Sequence, residues 1–147
     1  MKQIKTQILQ ANKWIVDKKL VSLTWGNVSA INADKIFIKP SGVDLNSIEE
    51  KDISVVSLDG SFVSGLKPSV DTPVQVRLYD HYPGVNFMLH SHTYIDGAPL
   101  SENVVPCGAL EEVDEITKLF PGRESVDFSL NLKGHGSLVL AGDVGFL

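Results

Sequence analysis

The sequence predicts a mixed α/β protein in which helices pack on the faces of a mainly antiparallel sheet. Segments with strand alternation outnumber segments with helical periodicity, most strand connections are short enough for antiparallel neighbours, and the helical segments are amphipathic. A length of 147 residues suits one domain with a substantial core, so residues 1–147 are read as a single domain.

The first element is a helix. Ile4, Ile8, Ala11 and Ile15 recur at helical spacing, and Lys18 and Lys19 suit its C-terminal end. "SLTWGNVSAI" then alternates as a strand, Asn32-Ala33-Asp34 turns the chain, and "KIFIKP" reads as a second strand stopped by Pro40-Ser41-Gly42. "ISVVSLDGSFVSG" predicts a hairpin with Asp59-Gly60 at its turn. In "KPSVDTPVQVRLYDHYP", Ser69 is the expected N-cap of a helix and Asp71 falls in its first turn. Val74, Leu78 and Tyr82 line one face of that helix, and Pro83-Gly84 ends it. "VNFMLHSH" reads as a strand. "PCGALEEVDEITKLFPG" carries a further helix, with Leu110, Val113, Thr117 and Phe120 expected on its apolar side. "VDFSLNLKGHGSLVLAG" closes the order as two strands around a glycine-rich turn.

Composition narrows the function classes. Hydrophobic residues make up 43% and charged residues 21%, as in ordinary soluble globular proteins. The formal net charge of −5 argues against coating nucleic acid or an anionic membrane, while leaving room for a locally positive site that holds a small anion. Cys107 is the single cysteine, so no intrachain disulfide is expected and a reducing compartment fits. The apolar residues near the start are spaced rather than continuous, unlike a signal peptide, and no apolar run approaches a membrane span. A cytoplasmic protein is the expectation.

His90 and His92 carry the first chemical signal. Side chains two apart on a strand share a face, with Cα atoms roughly 6.5–7 Å apart, so two imidazoles can lean toward one ion. In isolation such a pair is more often a surface or hydrogen-bonded pair than a ligand set. His135, between two glycines in "KGHGSL", and Asp71 would complete a shell of three nitrogens and one oxygen. That set suits zinc best, with manganese, cobalt or iron also compatible. Alone, His135 reads as a turn residue and Asp71 as a helix-dipole acid. His81 sits at a helix end and is given no function. Ser91 should point to the opposite strand face from the histidines.

Three short segments could present backbone N–H groups to an anion such as phosphate: Gly26-Asn27, Ser41-Gly42 and Ser69-Val70, with Lys39 and Lys67 flanking two of them. Each taken singly is ordinary turn chemistry.

Together, "TWGNVSA", "IKPSGVDL", "KPSVDTPVQVRLYDHYP", "MLHSH" and "GHG", in that order, resemble the class II aldolase/adducin family, over about residues 1 to 140. The resemblance implies α/β/α layers around a mainly antiparallel central sheet. It implies a divalent metal, usually zinc, one per chain, on His90, His92 and His135. It implies that Gly26, Asn27, Lys39, Ser41, Gly42, Ser69 and Val70 surround a substrate phosphate. Asp71 matches the family position that is an acid/base glutamate in aldolases and a metal-bound aspartate in epimerases. A cyclic homotetramer acting on a small phosphorylated sugar is the implied assembly and substrate class.

The implied activity is that of a metal-dependent lyase making or breaking a carbon–carbon bond beside an enediolate. Epimerisation of a pentulose phosphate, as by L-ribulose-5-phosphate 4-epimerase, is the alternative, and a non-catalytic metal- or ligand-binding module like adducin's head is a third reading. The sequence departs from the family in two places. The segment between "HSH" and "PCG" is about a dozen residues, where the family carries several dozen. The family's second acid/base residue lies in that segment, and another catalytic tyrosine lies in a C-terminal tail beyond the matched motifs. Tyr94, Asp96, Ser101 and Glu102 lie near the shortened segment but match no motif. Val70 replaces a usual serine.

Overall fold

The computed structural model describes residues 4–10, 26–43, 47–106, 108–124 and 126–142. Ala11, Ile15, Lys18, Lys19, residues 22–25 and Cys107, on which sequence expectations fall, lie outside these.

Seven strands form one sheet. They are β1 (Asn27–Asn32), β2 (Lys35–Ile38), β3 (Ser54–Ser57), β4 (Phe62–Ser64), β5 (Phe87–Ser91), β6 (Phe128–Leu132) and β7 (Gly136–Ala141). The order across the sheet is β4-β3-β2-β1-β5-β7-β6. Every pairing between these strands is antiparallel. Tight turns set most neighbours. Ala33, with φ 56°, turns β1 into β2, and Gly60, with φ 87°, turns β3 into β4 where the hairpin was expected.

Alternation along the strands sorts side chains onto two faces. Ile36, Val56 and Met88 point into one apolar cluster, and their neighbours Phe37, Val55 and Phe87 point into the other. Helix α1 (residues 4–10) covers the second cluster through Ile8, which is fully buried. Helices α2 (Thr72–His81) and α3 (Glu111–Leu119) cover the first. The layers are therefore α/β/α, as the sequence led one to expect.

Helix α2 buries Val74 and Leu78, and Tyr82 follows at its C-terminal boundary with its hydroxyl donating to the Phe120 carbonyl. Its start differs from expectation. The helix begins at Thr72, with Asp71 as the boundary residue and no side-chain cap; Ser69 Oγ instead accepts the Asp71 N–H at 3.3 Å. The Asp71 carboxylate does not cap the helix because Asn27 Nδ2 donates to its Oδ2 at 3.0 Å, drawing it toward β1.

Helix α3 also departs from expectation. Leu110 is 44% exposed, whereas Glu112, Glu115 and Ile116 are buried. Val113 and Phe120 still pack on the core, but two acids take inward positions because each has a partner there. Among the described residues no helix is long and apolar enough to cross a membrane.

Candidate metal centre

His90 is the next-to-last residue of β5 and lies on the face that α2 and α3 cover, two residues on from Met88. His92 lies just past the strand's end and is exposed. His135 sits in the turn between β6 and β7. Strand pairing brings these together: β7 runs against β5, with Leu138 opposite His90 and Ser137 opposite Ser91. Ring centroids are 4.9 Å apart for His90–His92, 4.5 Å for His90–His135 and 5.4 Å for His92–His135. One ring nitrogen from each of the three lies within 4.8 Å of the others.

Gly136 permits this approach. A Cβ there would meet Ser91 O at 2.1 Å and His92 Cα at 2.7 Å, and its φ of 144° suits glycine. The turn carrying His135 is braced further. Gly134 N–H donates to Tyr94 Oη at 2.9 Å, and Lys133 N–H donates to Ser101 Oγ at 2.9 Å. Tyr94 and Ser101 thus support the turn rather than point to chemistry of their own.

The imidazoles are oriented by hydrogen bonds. His90 is 2% exposed, and its Nδ1 lies 2.9 Å from the Ser137 carbonyl. A carbonyl only accepts, so Nδ1 carries the proton and Nε2 keeps its lone pair. That Nε2 is buried and has no hydrogen-bond partner. A buried orphan lone pair in a histidine cluster fits a metal ligand. His135 Nδ1 donates to Glu112 Oε1 at 2.9 Å, which likewise turns its other nitrogen into the acceptor. Burial, opposed chiefly by the Asp71 charge, pushes the His90 imidazole down to about 4. Burial and the neighbouring His135 also lower His92, whereas the Glu112 hydrogen bond raises His135.

Asp71 lies outside the compact histidine set, yet its charge acts on all three imidazoles. A buried chain of hydrogen bonds holds it. Tyr79 and Gln75 both meet Ser29 Oγ, Gln75 Nε2 donates to Asn27 Oδ1 at 2.8 Å, and Asn27 donates to Asp71. Gln75 and Glu112 were not singled out from sequence. Gln75 stands four residues after Asp71 on the same helix face, a spacing that could have drawn attention to it. Glu112 lies in "LEEVDE", which reads as solvated first-turn acids and gives no such signal.

A cavity of about 530 Å³ joins these groups to the glycine and serine turns. It is lined by Gly26, Asn27, Lys39, Ser41, Gly42, Ser69, Val70, Asp71, His92, Gly134 and His135. All seven residues expected around a phosphate therefore face one space. Gly26 and Gly42 adopt φ of 84° and 70°. The turn at 40–42 is tied to 67–68 by the Ser41 N–H to the Lys67 carbonyl, 2.8 Å, and by a bridge between Pro40 and Pro68. Lys39 is buried, with its ammonium donating to the Pro40 carbonyl at 3.1 Å. A larger depression of about 600 Å³ beneath β2–β4 is lined by Lys5, Phe37, Val55 and Val63 among others, and holds no histidine.

Residues 6–98 match the family model of the class II aldolase and adducin N-terminal domain. The chain belongs to that family. It is 40% identical over 96 residues to the L-ribulose-5-phosphate 4-epimerase of Salmonella typhi, a match covering 63% of this chain and 42% of that protein. The chain thus spans less than half the length of that relative. Among solved structures, an L-fuculose 1-phosphate aldolase covers 99% of this chain and 79% of its own, with TM-score 0.85 at 23% identity. The L-fuculose-1-phosphate aldolase of Thermus thermophilus covers 97% and 81%, with TM-score 0.79 at 19% identity. These likenesses establish the class II aldolase fold. His90 and His92 fall within the matched family segment, and His135 falls after it.

Proposed function

We propose that this chain binds one divalent metal and, beside it, makes or breaks a carbon–carbon bond in a small phosphorylated hydroxy-carbonyl compound. The observation that carries the reading is a compact cluster of three imidazoles, two of which, His92 and His135, line one cavity with the Asp71 carboxylate and the anion-suited turns. His90, His92 and His135 would hold the ion, with Asp71 as a fourth ligand or as the adjacent base. Three neutral imidazoles and a carboxylate suit zinc best. The ion would supply Lewis-acid polarisation of the substrate's carbonyl oxygen.

The chain's own groups supply the rest. His90 and His135 keep fixed lone pairs toward the centre through their Nδ1–H bonds. Asn27 and Gln75 orient Asp71, whose carboxylate takes and returns the proton that carbon–carbon cleavage requires. Backbone N–H groups at Gly42, Ser69 and Val70, with the Ser41 side chain and the buried Lys39 ammonium, favour a bound phosphate. Cleavage needs one such proton-handling group at the site, and Asp71 meets that need.

Epimerisation of a pentulose phosphate is the second reading. Aspartate at position 71 and the 40% identity to the Salmonella epimerase favour it. The two are separated by assaying zinc- and manganese-loaded protein on ketose 1-phosphates for triose phosphate release and on L-ribulose 5-phosphate for inversion. Triose phosphate release supports the lyase, and inversion without release supports the epimerase. Turnover of neither, with metal bound, leaves the inert module. A homotetramer of a cytoplasmic protein is part of the proposal. The exposed Val70, Tyr94 and Val104 near the cavity mouth support self-association, and light scattering of the purified protein tests it.

A further inference from the structure

Glu112 enters the reading above only as the acceptor of the His135 Nδ1–H, and it is 4% exposed on α3. Burying a carboxylate is unfavourable unless it is paired. Glu115, the other buried acid of α3, holds the Asn103 backbone and side chain and Lys118. That set secures the loop before α3, which is a structural task. Among the described residues, the ion-pair partner of Glu112 is His135 Nδ1, at 2.9 Å, with both side chains about 95% buried (5% and 6% exposed).

We propose that Glu112 is a positioning residue of the metal centre. Its carboxylate holds His135 as the Nδ1–H tautomer, sets the ring plane, and directs Nε2 at the ion while adding negative charge behind it. His90 obtains its tautomer from a backbone carbonyl, whereas His135, on a turn flanked by glycines, depends on a side chain for it. The inference rests on the metal reading proposed above.

The test is zinc competition against a chromophoric chelator on wild type, Glu112→Gln, Glu112→Ala and, as a control, Tyr82→Phe. Tyr82 is fully buried against Phe120 and Phe128, and it lies outside the cavity residues. Outer-shell partners of ligating histidines contribute about 10- to 100-fold in metal affinity. Glu112→Ala is expected near the upper end of that range. Glu112→Gln, whose amide oxygen still accepts the Nδ1–H without its charge, is expected near the lower end. Tyr82→Phe should bind zinc as wild type does despite lower stability. Nitrogen NMR of the metal-free proteins gives a second readout: a single Nδ1–H tautomer of His135 in wild type and a mixture in Glu112→Ala.

Wild-type zinc affinity in both Glu112 variants would overturn the inference and leave the metal reading standing. No zinc in wild type would overturn the metal reading itself. If Glu112→Ala does not fold, Glu112→Gln decides alone, and unchanged affinity there overturns the proposal.

Discussion

The two walls of the cavity are built by different means. On the histidine wall, side chains are held by side chains and by strand register. His90 is fixed through Ser137 on the neighbouring strand, His135 through Glu112 on a helix, and Asp71 through Asn27 and Gln75. On the loop wall, backbone conformation does the holding: Gly26 and Gly42 take positive φ, and Ser41 is tied to Lys67 main chain to main chain. A wall made of side chains is sensitive to what each residue is. A wall made of backbone is sensitive mostly to which conformations its residues allow. Substitutions should therefore separate metal binding from anion binding.

The largest expected effect is on the histidine wall. His90→Ala removes a proposed, buried ligand and the ring that donates to the Ser137 carbonyl, so metal affinity should fall by more than about 100-fold, measured by chelator competition. Gly136→Ala comes next. Its Cβ would lie 2.1 Å from the Ser91 carbonyl oxygen, with backbone on both sides of the contact, so β7 must move away from β5. A loss of about 3 kcal/mol in urea unfolding is expected, together with weaker metal binding because His135 moves with the turn.

Smaller effects belong to the loop wall. At Gly42 a Cβ meets nothing within 4 Å, so Gly42→Ala adds only the strain of φ 70°. About 1 kcal/mol of stability should be lost, inorganic phosphate should bind more weakly, and metal affinity should stay at the wild-type value. The smallest effect sharpens the comparison. Val70 is 60% exposed at the cavity. Val70→Ser adds a hydroxyl there and should tighten phosphate binding roughly fivefold, or about 1 kcal/mol, by calorimetry. A change in metal affinity in either loop variant would show that the walls are not independent.

The same division explains what the sequence made legible. Short apolar runs bounded by turn residues marked β2, β3, β4, β6 and β7, because both are local properties. The histidine pair and the glycine-flanked His135 were visible because ligand spacing and backbone freedom leave local marks. The inward acids of α3 were not visible. Glu112 and Glu115 are buried by partners 23 and 12 residues away in the chain, a pairing that no window along α3 contains. The helix start was misplaced for a related reason. Asp71 looked like a first-turn acid, but its carboxylate instead accepts from the side-chain amide of Asn27, 44 residues earlier. Local pattern fixed which segments are strands and helices, and long-range polar pairing decided which side chains face the cavity.

The measurement that tests the central claim most directly is metal content per chain, by elemental mass spectrometry, on tag-free wild type and on His92→Ala. The account predicts about one zinc or other divalent ion per wild-type chain. It predicts that most of that metal is lost in the variant, whose substituted side chain is exposed and lines the cavity. Wild-type protein that holds no metal after incubation with zinc and with manganese would contradict it.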